Sequence, residues 1–153
     1  MKILSGFLLA AFFYSCTQKK VVEINDNGQE KMMLIEADKA FSSLSEARGM
    51  KQAFLEFMDS NGVLLRPKHA PIIGANAIEY LIQLNDSSYT LTWQPQHAIV
   101  AKSADIGYTY GLYALHPKAK DTVIYGTYVS IWKKQQDGKW KFVLDTGNEG
   151  IEE

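Results

Sequence analysis

Asp145 is the side chain in this sequence best suited to acid–base chemistry. It lies near the end of a segment rich in β-type residues, on a predicted sheet face shared with Val129, Ile131 and Val143. An aspartate on an otherwise apolar face is a candidate general base. The alternative is a structural aspartate that accepts hydrogen bonds from the backbone or from a neighbouring tyrosine. Asp105, two residues after Ser103 in the sequence SADIG, is instead predicted to stabilise a turn.

The other polar side chains form no recognisable catalytic or metal-binding motif. His69, His97 and His116 lack the spacing of metal ligands, so the sequence predicts neither a metal nor a cofactor. A Ser/His/Asp pattern, a glycine-rich phosphate loop and a nucleophile elbow are also missing from the sequence. The net charge of -1, without a basic stripe, argues against nucleic-acid binding.

A β-hairpin over residues 127–134 and 140–146 must position Asp145. Both segments are rich in β-branched and aromatic residues, and a Gln-Asp-Gly loop joins them. A three-residue loop with its glycine at positive φ sets Trp132 opposite Phe142. A two-residue Asp-Gly turn is the alternative, and it would set Trp132 opposite Val143. The preferred register gathers a mostly aromatic set on one face: Tyr128, Ser130, Trp132, Trp140, Phe142 and Leu144.

The rest of the domain, residues 30–148, is predicted to be α+β, with three helices packed on one face of a strongly curved antiparallel sheet. The helices are expected at 30–44, 45–59 and 74–84, with Ser45 as the N-cap of the second, and a short strand at 63–66. Further strands are expected at 89–93, 97–102, 106–115 and 122–134, with an edge position, bulge or bend at Pro95. The small residues Gly107, Thr109 and Gly111 indicate close approach of another element or room for a ligand.

The N-terminus is predicted to be a targeting segment that does not belong to the folded domain. Residues 1–15 have a basic start and an apolar run typical of a signal peptide, here of the lipoprotein type. Cys16, the single cysteine, is predicted to be lipidated and to anchor the chain to a membrane, which implies a periplasm-facing envelope protein. An ordinary secretory signal with an incidental cysteine is the alternative, and it implies a secreted protein. Residues 16–29 are interpreted as a tether and residues 149–153 as a tail.

Four segments resemble one superfamily: AFLEFMDSNGVLLRP, IGANAIEYL, DIGYTYG and GTYVSIWKKQQDGKWKFVLDTGN. Together they are similar to the NTF2-like superfamily, and within it to SnoaL-like, DUF4440-type proteins, over about residues 30–148. The resemblance implies a cone-shaped sheet closed by helices around a pocket, often in a dimer. It leaves the reaction open, because this fold hosts isomerases, cyclases, dehydratases, hydrolases and plain binding modules.

The resemblance also bears on Arg66. In the ketosteroid-isomerase branch a general-base aspartate precedes the proline of the first short strand, and the matching position here is Arg66, before Pro67. A guanidinium cannot accept a proton near neutral pH, so the isomerase mechanism does not carry over. Arg66 becomes a candidate for holding an anionic ligand at the pocket, with a salt bridge at the sheet rim as the alternative.

These observations leave three hypotheses. The leading one is a protein that binds a small organic ligand in the pocket without catalysis. The second is a cofactor-independent acid–base enzyme of isomerase, cyclase, dehydratase or hydrolase type that uses Asp145. The third is a dimeric interaction module with an apolar patch on its open sheet face. The residues expected to line the pocket are Arg66, Trp93, His97, Tyr110 and Tyr128.

Overall fold

The computed structural model describes residues 27–151, which form three helices and six strands. The helices are α1 (Gly28–Arg48), α2 (Met50–Phe57) and α3 (Ala75–Gln83). The strands are β1 (Met58–Leu64), β2 (Ile72–Ile73), β3 (Tyr89–Val100), β4 (Ile106–Pro117), β5 (Ile124–Lys134) and β6 (Trp140–Glu149). The predicted α+β class is confirmed. The predicted signal peptide, Cys16 and residues 16–26 of the predicted tether lie outside the described residues.

The N-terminal helices divide at a different residue from the one predicted. Helix α1 begins at Gly28 and continues through Ser45, whose buried hydroxyl donates a hydrogen bond to Leu91 O at 2.6 Å. The predicted N-cap role of Ser45 is therefore wrong. The break falls at Gly49, where φ is +91°. Glycine adopts this conformation without a Cβ clash, so it can separate two helices without a longer loop.

The six strands form one curved sheet in the order β2-β1-β6-β5-β4-β3. Strands β3 to β6 are an antiparallel meander, as predicted. Strand β1 runs parallel to β6, so the sheet is mixed rather than wholly antiparallel. Parallel neighbours need a long crossover connection, and here the whole of β2, α3 and the first three meander strands lies between them. The irregularity expected at Pro95 is a bulge between Pro95 and His97.

The β5–β6 hairpin has the predicted turn but a different register beyond it. Gln135 N donates to Lys139 O at 2.8 Å, Gly138 has φ of +82°, and Trp132 pairs with Phe142. Past that pair, Ile131 faces Leu144, so Val143 is an extra residue that forms a β-bulge.

This bulge moves Asp145 to the other face of the sheet. Asp145 pairs with Ser130 on the inner face, and Leu144 pairs with Ile131 on the outer face. The predicted positions of both residues are wrong, because a shift of one residue reverses the facing of every later side chain in a strand.

The hydrophobic core fills the space between the helices and the inner face. Phe41 of α1 is its centre, with Trp93 and Phe54 edge-on at ring-centroid distances of 4.4 and 4.8 Å. A Cβ added at Gly107 would lie 2.8 Å from Leu34 Cδ2, so the small residue marks the close approach of α1. Among residues 27–151, none of the helices is both long and apolar enough to span a bilayer.

The outer face of the sheet carries an exposed apolar surface. One cross-strand row of aliphatic and aromatic residues runs over all six strands: Ile99, Tyr108, Ile131, Leu144, Val63 and Ile73. The outer-face residues that are at least 38% exposed are Ile73, Ile99, Ile106, Tyr108, Tyr110, Leu112 and Tyr125. We call these seven residues the outer patch.

Candidate functional site

A cavity of about 220 Å³ opens between the helices and the inner face of the sheet. It lies at the end of the sheet opposite the β5–β6 turn, where the start of β3 and the ends of β4 and β6 meet. Its walls are mainly aromatic: Phe41, Phe54, Tyr89, Trp93, Tyr113 and Tyr128. The cavity is therefore a predominantly apolar pocket with a few polar groups, the usual character of a small-molecule site.

The structure brings four of the six predicted site residues to this cavity. Arg66, Trp93, Tyr128 and Asp145 line it, although Asp145 does so for a reason the sequence did not reveal, the bulge at Val143. Each of the four comes from a different strand or adjoining loop, so the curvature of the sheet is what brings them together.

His97 and Tyr110 do not line the cavity. They pair with each other on the outer face, with ring centroids 6.0 Å apart, and His97 Nε2 lies 3.3 Å from Lys31 Nζ. His97 is four residues after the inward-facing Trp93, and a regular strand would turn it inward as well. The bulge after Pro95 reverses the face to which the later side chains of β3 point. The predicted position of His97 in the pocket is therefore wrong.

Arg66 and Asp145 form a partly buried ion pair at the cavity wall. Arg66 Nη2 donates to Asp145 Oδ1 at 2.7 Å, and Nη1 donates to the carbonyl oxygens of Asp145 and Leu65 at 3.1 and 3.0 Å. Ser130 Oγ donates to Asp145 Oδ2 at 2.7 Å. The guanidinium also lies 5.4 Å from the centroid of the Phe54 ring, a cation–π distance. Both carboxylate oxygens of Asp145 therefore have donors from the protein.

A second carboxylate, Asp38 of α1, lies fully buried behind the cavity wall. Its Oδ1 accepts a hydrogen bond from Trp93 Nε1 and its Oδ2 accepts one from the Tyr128 hydroxyl, both at 2.7 Å. Thr109 supplies a further side-chain hydrogen bond, and its Oγ1 accepts one from Trp132 Nε1 at 2.8 Å. Asp38 thus fixes the orientation of two aromatic side chains that face the cavity.

Burial governs the electrostatics of this network. It raises the pKa of the Asp38 carboxyl above its ordinary value, while the hydrogen bonds from Tyr128, Trp93 and Thr109 act in the opposite direction. Burial and then the neighbouring Asp38 charge raise the pKa of the Tyr128 hydroxyl well above its usual range. Tyr128 therefore keeps its proton and donates it to Asp38 in a hydrogen bond.

Asp38 is the site residue that was not singled out from the sequence. It lies four residues after Leu34 and three before Phe41, within the apolar stripe of α1. A carboxylate in an apolar stripe is a signal of a buried, hydrogen-bonded acid. Its partners could not be found in the same way, because Trp93 and Tyr128 follow it by 55 and 90 residues.

Tyr113 completes the wall where the later parts of β4 and β6 lie beside the start of β5. A Cβ added at Gly126 would collide with the Tyr113 ring and with Asn148 O, and one at Gly147 would lie 3.4 Å from Tyr113 Cε1. These glycines let the ring lie flat against the sheet beside the cavity. Burial, and then the charge of Glu149, raise the pKa of the Tyr113 hydroxyl. In the part of the chain that the structure describes, His, Cys, Asp and Glu do not gather into a group of three or more suited to a metal ion.

Comparison with known proteins places this architecture. No protein-family model and no curated protein matches the sequence. Solved structures do match. A ketosteroid isomerase-like protein from Erwinia carotovora atroseptica has a TM-score of 0.61 and 17% identity, over 79% of this chain and 96% of that one. An NTF2-like protein with a cystatin-like fold from Novosphingobium aromaticivorans has a TM-score of 0.61 and 15% identity, over 78% and 80% of the two chains.

The chain has an NTF2-like fold. A further structural match, a Novosphingobium aromaticivorans protein that carries the name of a scytalone dehydratase, has a TM-score of 0.65 and 12% identity, over 82% of this chain and 87% of that one. At these identities the similarity establishes the fold alone. An NTF2-like fold supports several chemistries, so the function must be argued from the side chains of this cavity.

Proposed function

We propose that this protein binds one compact organic ligand in the inner-face cavity and does not transform it. The size of the cavity supports a molecule of about one ring with small substituents. Its volume is about 220 Å³, whereas an apolar cavity of about 150 Å³ is enough for benzene and typical ligand pockets start at about 300 Å³. The aromatic walls give such a molecule a large apolar contact area.

The observation that carries the proposal is that other side chains of the protein already donate hydrogen bonds to the Asp145 carboxylate. A general base must direct a free lone pair at the proton it removes. Asp145 already accepts hydrogen bonds on both oxygens, from Arg66 and from Ser130. These bonds take one lone pair of each oxygen and hold the carboxylate in one fixed orientation, in an ion pair with Arg66. Asp38 is fully buried behind Trp93 and Tyr128 and does not line the cavity. The remaining carboxylate, Glu149, lies at the solvent-exposed rim. This arrangement supports binding over acid–base catalysis.

Native mass spectrometry of the protein purified gently from its own host tests this proposal. We expect a bound molecule of fixed mass on the wild-type protein and the same molecule on the Asp145→Asn variant. A product on the wild type and its precursor on the variant would establish the enzyme hypothesis instead. The variant Leu91→Trp, which fills the cavity from β3, should lose the ligand, whereas Leu112→Trp on the outer face should keep it.

The outer patch favours a second candidate function, a homodimer formed through the open face of the sheet. Soluble monomers rarely expose an apolar area larger than a few hundred Å². A row of apolar residues crosses all six strands, and a two-fold interface would bury this row of one copy against the same row of the other.

Sedimentation equilibrium tests the dimer. We expect the wild type to have the mass of a dimer and Tyr108→Lys, at the centre of the outer patch, to have the mass of a monomer. Glu46→Lys, an exposed change of α1, should leave the dimer intact. A wild-type monomer at concentrations of about 100 μM, where even weak specific dimers form, would rule out this second function.

We also propose an envelope location through a lipid on Cys16. The support is in the sequence alone: an apolar run after a basic start, followed by the single cysteine. Mass spectrometry of the protein from its host should show an acylated N-terminal cysteine, and Cys16→Ser should abolish the modification. An unmodified Cys16 in the wild-type protein would disprove the anchor.

A further inference from the structure

Four side chains around the cavity direct hydrogen-bond donors at acceptors of the protein itself. Trp93 Nε1 and the Tyr128 hydroxyl donate to Asp38, and the Ser130 hydroxyl donates to Asp145. Arg66, the one cation among the described residues that line the cavity, gives its Nη donors to Asp145 and to two backbone carbonyls. The hydroxyls of Tyr89, Tyr113 and Thr146 also line the cavity, and each can accept a hydrogen bond as well as donate one. The cation at the wall is therefore already paired, and the other side-chain donors that an anionic ligand would meet are neutral hydroxyls.

Tyr128 illustrates the resulting polarity. Its hydroxyl hydrogen is committed to Asp38 at 2.7 Å, so its oxygen can offer only lone pairs to any other group. The raised pKa of Tyr128 agrees with this assignment, because the hydroxyl does not ionise and release its hydrogen bond.

The charged side chains near the cavity favour the same kind of ligand as these acceptor atoms do. Three carboxylates, Asp38, Asp145 and Glu149, lie in or directly behind the cavity wall against one guanidinium. Asp145 and Arg66 offset each other through their ion pair. The charges of Asp38 and Glu149 remain, and the fully buried Asp38 is poorly screened by water. Acidic groups therefore outnumber basic ones in and directly behind the wall of the cavity, which favours a cationic ligand over an anionic one.

The aromatic walls act in the same direction. The face of an aromatic ring carries a negative potential and attracts a cation, especially one removed from water. Six aromatic residues surround a cavity of about 220 Å³, so a charged group inside it is close to several rings. A carboxylate or phosphate in that position would meet the negative ring faces, and the cation among the described lining residues is already paired with Asp145.

We propose that the ligand of this cavity is a compact organic amine, bound in its protonated form, and that carboxylates and phosphates are rejected. This inference rests on the proposed ligand-binding function. The apolar part of the amine occupies the aromatic walls, and the ammonium group donates hydrogen bonds toward the oxygens that the cavity presents.

Three probes with one ring and nearly equal size test the inference: benzylamine, benzyl alcohol and benzoate. Each is titrated at pH 7 into the isotopically labelled domain while backbone amide resonances are followed by NMR. We expect shifts at Gly147 and Tyr113, with benzylamine binding at least tenfold more tightly than benzoate and benzyl alcohol lying between them. Benzoate that binds at these residues as tightly as benzylamine would overturn the amine proposal and leave the binding pocket intact. If none of the probes perturbs these residues, both the amine proposal and the proposed function fail.

Charge variants distinguish the effect of a carboxylate at the cavity from the effect of the net charge of the protein. Glu149→Gln at the rim should weaken benzylamine by about threefold, as expected for one partly screened charge, and leave benzyl alcohol unchanged. Glu46→Gln makes the same change of net charge on the exposed surface of α1 and should alter neither. If Glu46→Gln weakens benzylamine as much as Glu149→Gln does, the preference reflects net charge alone and the proposal is wrong.

Discussion

The two faces of one sheet differ in what their polar and apolar residues do. On the inner face, Ser130, Thr109 and Asp145 are buried, and each is hydrogen-bonded to another side chain. On the outer face, large residues such as Tyr108 and Ile99 are exposed, and no helix of the described chain covers them. The polar groups of the inner face therefore hold one another in place around the core and the cavity, whereas the outer face exposes apolar side chains. Buried polar residues and exposed large apolar residues are the informative departures from the usual distribution, and here they lie on opposite faces of one sheet.

Truncation of a core aromatic should give the largest contrast between the faces. Trp132 is fully buried on the inner face, so Trp132→Ala should lower the free energy of unfolding by about 4 kcal/mol. Tyr108→Ala on the outer face should cost under about 1 kcal/mol in a monomer. Urea denaturation measures both. A loss for Tyr108→Ala that grows with protein concentration would show that the outer face is covered by a second copy.

The ion pair at the cavity wall should give the next largest effect. Arg66→Ala leaves the buried Asp145 without its cation and should cost about 3 kcal/mol. The double variant with Asp145→Asn should lose less than the sum of the two single variants, because the unpaired charge is gone. Lys139→Ala, which breaks the exposed pair with Asp137, should cost under about 0.5 kcal/mol. Additive losses for Arg66 and Asp145 would mean that the two side chains do not stabilise each other.

A single methyl group should also distinguish the faces. Gly126→Ala places a Cβ against the Tyr113 ring and Asn148 O, and should cost about 2 kcal/mol. Thr127→Ala, at the next residue but on the outer face, should cost under about 0.5 kcal/mol. Thermal unfolding of the two variants compares them. Equal stability would show that Tyr113 moves aside freely, and the cavity would then not have a fixed wall.

The pH dependence of stability should show the smallest effect. The folded protein holds the Asp38 proton more tightly than the unfolded chain does, because burial raises its pKa above 3.8. This group therefore stabilises the fold below about pH 4, and that contribution is lost as pH rises through the raised pKa. Asp38→Asn removes the titration, so stability relative to wild type should rise with pH over this range. Denaturation at several pH values measures it, and a constant difference would contradict the assignment to Asp38.

The sequence predicted the turn of the hairpin but not the face of the sheet on which its candidate site residue, Asp145, lies. The Gln-Asp-Gly loop determines the pairing of Trp132 with Phe142, because glycine there takes positive φ. The bulge at Val143 has no comparable signal, since any residue can occupy it. The facing of Asp145 depends on that one extra residue. For Pro95 the sequence predicted an edge position, a bulge or a bend, and the structure has a bulge. The sequence did not predict that this bulge would turn His97 to the outer face.

Asp38 and the parallel strand were missed for a related reason. The sequence pattern of α1 is local, whereas the hydrogen-bond partners of Asp38 come from β3 and β5. Likewise, the pairing of β1 with β6 joins strands that are far apart in the chain, and periodicity carries no information on such contacts. Arg66 was recognised as a possible ion-pair residue, but its partner Asp145 emerged only when the two strands were placed side by side.

The parallel pairing of β1 with β6 also bears on the order in which the molecule is assembled. Arg66 and Asp145, which form the ion pair at the cavity wall, are separated by 79 residues. Contacts of such long range form slowly, because a large loop must close before they give any stabilisation. During synthesis the helices and the first meander strands can therefore collapse around Phe41 while the cavity is still open on one side. Strand β6 supplies Asp145 and Gly147 to the cavity and Phe142 to the core, so we expect the cavity to be completed last. A chain stalled before β6 would expose its aromatic core to chaperones or proteases.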